Sequence, residues 1–189
     1  DNLVLVMGLT LPVLLIILFF VATVLPKSSA TPPQYGLLFS YIRYDYQTTL
    51  PYNVEFFVKD RTLKARITKN AGNNQNYHKK LMLFDGKTES VKEIALDTTQ
   101  FGEVNNNAEI TLAETKTMQI DNASTAPDGY SFDGSNYGHG GLIGELFGGG
   151  YRNQLYRVKK GNVAYKIPNA QNIYYNNLQF LGWVVATNP

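Results

Sequence analysis

The sequence predicts a single N-terminal transmembrane α-helix followed by an all-β antiparallel domain, a sandwich or a partly closed barrel. Three observations carry this. Leu3 to Leu25, LVLVMGLTLPVLLIILFFVATVL, has no charged residue, and Thr10 and Thr23 are its only polar members. Beyond residue 35, apolar and polar residues alternate in short runs rich in Val, Ile, Tyr, Phe and Thr, the period of a half-buried strand. Turn residues separate these runs at hairpin spacing, and no stretch after the first 25 residues keeps a helical period.

The apolar run sets the organisation. As a helix its 23 residues would rise roughly 34 Å at about 1.5 Å each, against roughly 30 Å of bilayer hydrocarbon. Residues 1–25 are therefore expected to be a retained membrane span. Ser28-Ser29-Ala30 would suit leader cleavage, but the apolar segment of a leader is shorter, about 7–15 residues. A type IV pilin also keeps an apolar helix, with a Phe-like first residue and a Glu near the fifth; Asp1 and Leu5 stand at those places. Pro12 removes a backbone hydrogen bond within the span and is expected to kink it, and Gly8 one turn earlier lets another helix approach closely. With no ionisable group inside it, the span offers no ion path: it anchors or packs.

Residues 26–34, PKSSATPPQ, read as a semi-stiff Pro/Ser spacer. Residues 35–189 are long enough for one domain with one core. The chain after the span holds 17 basic and 14 acidic side chains, a net +3. Lys and Arg are scattered, so no electrostatic footprint for nucleic acid exists. The surface chemistry is neutral and polar, with 18 Asn, 16 Gly and 13 Tyr. It suits a bacterial inner-membrane protein whose C-terminal domain lies in the periplasm or outside the cell. The flanking charges, Asp1 before the span and Lys27 after it, point the other way, but long domains translocate largely regardless of charge.

The strands follow in order. Tyr35 to Tyr46 opens the domain. Asn53 to Val58 and Thr62 to Thr68 flank Lys59-Asp60-Arg61 as a hairpin, and Leu81 to Phe84 with Val91 to Leu96 flank Asp85-Gly86 as a second. Glu109 to Leu112 and Thr117 to Ile120 are shorter candidates. Tyr151 to Val158 and Val163 to Ile167 flank Lys160-Gly161-Asn162 as a third hairpin. Asn177 to Val185, NLQFLGWVV, is nearly continuously apolar and reads as a central strand buried on both faces.

Catalytic chemistry is poorly supplied. With no Cys and only His78 and His139, the chain builds no Cys nucleophile, thiolate zinc site or multi-His centre. There is no G-x-S-x-G elbow, and acid pairs such as Glu109 and Glu114 are ordinary in a β protein. Asp128 to Gly150 has nine glycines in 23 residues. A calcium loop starting at Asp133 fails because its twelfth position is Gly144, with Glu145 one place late. Within that stretch Leu142, Ile143, Leu146 and Phe147 would share one face of a helical turn framed by glycines. That face is expected to plug one end of the core, to meet a partner or to dip into the bilayer surface.

Tyr35, Tyr41, Tyr44, Tyr46 and Tyr52 crowd the region after the spacer, where amphipathic rings suit an interface. The expected contact residues are Gly8 and Pro12 on the helix, Tyr41 and Tyr44, and Leu142, Ile143, Leu146 and Phe147. Taken together, the sequence predicts a non-enzymatic, single-pass accessory or assembly subunit of a larger membrane complex. It needs no cofactor or metal, and its partners are the lipid bilayer and other integral membrane subunits, with a homo-oligomer compatible. Two other readings stand beside it: a pilin-like homopolymeric surface filament, and a membrane-tethered periplasmic module for a small ligand or glycan with an open β cleft lined by tyrosines.

Overall fold

The computed structural model describes residues 8, 10–21, 30–45, 50–69, 77–101, 105–134, 156–168 and 176–187. Eleven strands are found among them: β1 (Gly36–Tyr44), β2 (Tyr52–Lys59), β3 (Thr62–Lys69), β4 (Tyr77–Asp85), β5 (Ser90–Ile94), β6 (Ala108–Thr111), β7 (Met118–Asp121), β8 (Ser131–Asp133), β9 (Arg157–Lys160), β10 (Val163–Lys166) and β11 (Asn176–Thr187). They form three antiparallel sheets, ordered β5-β4-β1-β11-β7, β10-β9-β8 and β2-β3-β6. None of the three closes into a barrel.

The five-stranded sheet is the middle layer. On β1, Leu37, Phe39 and Tyr41 pack with Val158, Tyr165 and Ile167 of the β8–β10 side. The alternate Leu38 packs with Phe56, Leu63, Ala65 and Ile67 of the β2–β3 side. On β4, Met82 and Phe84 join the first core while Leu81 joins the second. Alternation along a strand sends successive side chains to opposite faces, so a strand apolar at every position must have protein on both sides. The product is a three-layer sandwich with two cores sharing one sheet. The expected central position of the last strand holds, since β11 lies between β1 and β7.

The register along β11 shifts at three places, and the one opposite Leu38 and Phe39 redirects the core side chains. Leu38 pairs with Gly182 but its neighbour Phe39 pairs with Phe180, so Leu181 is an extra residue. Phe180 and Trp183 consequently both reach the first core, although an unbroken strand would put them on opposite faces. Gly182 is required there by space: a Cβ would sit 2.5 Å from the Asp121 carbonyl oxygen and 2.6 Å from Ile120 Cγ2.

All three expected hairpins form. β2 and β3 turn through Asp60-Arg61, both with positive φ (53° and 58°), the backbone signature of a type I′ turn made here without glycine. β4 and β5 turn after Asp85, whose carboxylate accepts hydrogen bonds from the Lys87 amide (2.9 Å) and the Thr88 hydroxyl (3.1 Å). β9 and β10 turn through Gly161-Asn162. The two short candidates do not pair with each other: β6 joins β3 and β7 joins β11, in different sheets. β8 was not anticipated from the sequence, being only three residues long.

The spacer and the span differ from expectation in extent. Residues 26–29 lie outside the described residues, but 30–34 are fastened to the β domain. Pro33 is buried and rests on Gly86 so closely that a Cβ there would lie 2.5 Å from it. Tyr130 donates its hydroxyl proton to the Thr31 carbonyl (2.7 Å), and the Gln34 amide donates to Asp128 (2.8 Å). Residues 10–21 are helical through Pro12, about 18 Å at the usual rise. Among the described residues no helix is long and apolar enough to cross a membrane.

Candidate functional site

The expected contact residues that the structure describes, Gly8, Pro12, Tyr41 and Tyr44, fall in different surroundings. Gly8 and Pro12 are both helical and exposed, and no atom lies within 4 Å of a Cβ built on Gly8. The large apolar side chains from Leu11 to Val21 keep 43 to 71% of their surface exposed. Tyr41 is 1% exposed and belongs to the first core, where it contributes packing rather than a surface. Leu142, Ile143, Leu146, Phe147 and His139 lie outside the described residues. Tyr44 is exposed and meets Tyr77, its cross-strand partner, edge to face at 4.9 Å between centroids.

That pair stands beside a cleft of about 960 Å³ between the middle sheet and the β2–β3–β6 sheet. Its floor is the second core: Tyr52, Phe56, Leu81 and Phe101 are all buried. Tyr52 and Phe101 meet edge to face at 5.7 Å. Phe101 is carried by a 3-10 turn, Thr99–Phe101. Asp97 fixes the start of that turn, accepting from the Thr99 hydroxyl (2.6 Å) and amide (3.1 Å). These two donors, the hydroxyl first, hold the Asp97 carboxyl below the usual carboxylate range.

The cleft walls carry charges of both signs. Asp45, Glu55 and Glu93 stand with His78, Lys79 and Lys80 around it. Lys80 is paired with Glu93 at 2.9 Å, and Glu55 with Arg66 at 3.3 Å. Arg66 also meets Glu109 at 2.8 Å on the outer face of the β2–β3–β6 sheet. The Arg66 guanidinium holds the Glu109 carboxyl low, chiefly through this hydrogen bond. Among the described residues no three His, Asp or Glu side chains are grouped to hold a metal ion.

A β cleft lined by tyrosines was one of the alternatives the sequence offered, but its place was not legible because it lies between strands distant in the chain. Its one legible signal was the tyrosine cluster after the spacer, of which Tyr52 lines it, joined by Tyr77, which the sequence did not single out. Fold and site together define a three-layer antiparallel β protein with an exposed apolar helix at its N-terminus. No family model, curated protein or solved structure matches the chain.

Proposed function

We propose that the chain is a membrane-anchored, non-enzymatic accessory or assembly subunit of a larger membrane complex. Residues 3–25 enter the bilayer and pack against other subunits, while the β domain makes its contacts outside the cytoplasm. One observation carries this reading. A helix in water buries its apolar face and exposes a polar one, yet residues 10–21 are apolar nearly all round and exposed all round. Such a surface is satisfied by lipid or by other apolar helices. The 23-residue uncharged run supplies the length that the described part of the helix does not.

The docked segment 30–34 supports a transmitting role, because the chain leaves the β domain along a fixed path rather than from a loose end. The test is alkaline carbonate extraction of membranes, followed by mild detergent solubilisation and native sizing with the full chain. It should stay with the membrane pellet and elute with other integral proteins. Release into the carbonate supernatant, or elution as a lone monomer of about 21 kDa plus micelle, overturns the reading.

A further inference from the structure

One face of β4 forms a wall of the cleft. The pairing of β4 with β1 runs unbroken from Tyr77 opposite Tyr44 to Phe84 opposite Leu37, so Tyr77, Lys79 and Leu81 share one face while His78 and Lys80 share the other. Leu81 belongs to the second core, which puts Lys79 on the cleft side. The same alternation turns the nearby carboxylates away. Glu93 lies opposite Met82 of the first core and is paired with Lys80. Glu55 alternates with Val54 and Phe56 and is paired with Arg66. Asp45 follows the end of β1 and has an interaction of its own. Lys79 is thus a half-buried ammonium on the cleft side, with no acid paired to it among the described residues.

Its surroundings are apolar. Ile42, the cross-strand neighbour of Lys79, lines the same space as Tyr52, Val54, Leu81, Ile94 and Phe101. We infer that this cleft binds a small organic acid whose carboxylate is carried on a flat apolar ring. The carboxylate would accept a hydrogen bond from Lys79 Nζ, charge-assisted and strengthened by the partial exclusion of water. A half-buried cation lacking a counter-ion is poorly solvated, and the carboxylate restores what folding removed. The ring would settle by Tyr52 and Phe101, whose edge-to-face pair at 5.7 Å offers both a ring face and a ring edge for stacking. At about 960 Å³ the cleft lies within the usual range for bound small molecules, with room for a ring system and not only for a bare anion.

The test uses the full chain in nanodiscs of neutral phosphatidylcholine, with 2-naphthoate as probe and its uncharged amide, 2-naphthamide, as comparison. On titration with naphthoate, amide resonances of residues 52–56 and 77–81 should shift to saturation, with those of β9 and β10 unmoved. Naphthamide should bind about tenfold more weakly, the loss of one charge-assisted hydrogen bond. Lys79→Gln should weaken naphthoate by about the same factor and leave naphthamide unchanged, whereas Lys79→Arg, which keeps the charge, should retain most of the affinity. Both variants should melt close to wild type, since neither loses a paired acid. Four results would overturn the inference: no shifts at millimolar naphthoate, equal binding of naphthamide, an equal loss of both ligands in Lys79→Gln, or the same shifts from inorganic phosphate alone. Each arm is read at cleft residues, so failure here leaves the membrane reading standing.

Discussion

Replacing Gly182 by Ala should destabilise the domain more than any other single-methyl change at a described glycine of the middle sheet. The new Cβ would lie 2.5 Å from the Asp121 carbonyl oxygen, roughly 0.9 Å inside ordinary contact between heavy atoms. The obstacle is the backbone of β7, which is itself held by Ile120 donating its amide proton to the Arg61 carbonyl at 2.8 Å. Relief therefore requires β7 to move away from β11, loosening Ile120 and Leu181 in the second core. Overpacking of this kind costs about 1–3 kcal/mol. For a domain of this size about 2 kcal/mol lowers the midpoint by about 4–8 °C. Trp183, the single tryptophan and fully buried next to the bulge, reports unfolding by its fluorescence. Gly8→Ala serves as the control, since nothing crowds that position. A Gly182→Ala midpoint within about 1 °C of wild type would refute the reasoning.

Other outcomes follow from features already described. Tyr130→Phe removes the hydrogen bond to Thr31, costing about 1 kcal/mol, and limited proteolysis should cut the 30–34 segment faster than in wild type. Burial, with Tyr165 and Asp128 adding to it, pushes the Tyr130 phenol up to about 12 from 10.0. A raised value in the folded state stabilises the protein fully below pH 10 and is lost as pH rises from 10 towards 12. The alkaline fall in midpoint should therefore flatten in Tyr130→Phe. Glu109 is the opposite case: its lowered value adds stability above about pH 4.5, the ordinary value, that is lost as pH falls through the depressed one. Glu109→Gln should lose less of its midpoint than wild type between pH 5 and pH 2, measured by thermal melts. Leu15→Lys places a charge at the centre of the apolar run, where insertion costs about 2.5–3.5 kcal/mol, and should raise the carbonate-extractable fraction.

Much of the β architecture was legible because strand and turn chemistry are local. Asp85-Gly86 and Gly161-Asn162 each announce a reversal, and the nearly continuous apolar character of 177–185 announces a central strand. Which strands become neighbours was not legible. β6 and β7 are six residues apart yet enter different sheets, because partners are chosen by the fit of whole faces rather than by sequence distance. The third layer was missed for the same reason. The apolar positions of β8 to β10 are few and small in number, and only their packing on Leu37, Phe39 and Phe84 gives them a common core.

The contact residues fared differently according to what each had to know. Tyr44 needed only exposure at a strand end, which its place near the close of β1 provides. Tyr41 sits three residues earlier on the same strand, in the stretch covered on both sides, so its ring is core. The cleft depends on β5 ending four residues short of β4, a register fact with no local marker. Docking of Pro33 on Gly86 likewise joins positions whose neighbours in sequence reveal nothing of each other.

β1 and β11 lie side by side in the middle sheet although about 130 residues of chain separate them. Closing so long a loop comes at an entropic cost that the β1–β11 pairing must offset. During synthesis the edge of β1 that β11 will occupy stays unpaired until residues 176–187 have emerged, and β7 waits for the same strand to join it to the sheet. A chain interrupted before β11 would keep raw edges on β1 and β7, an ingredient of self-association.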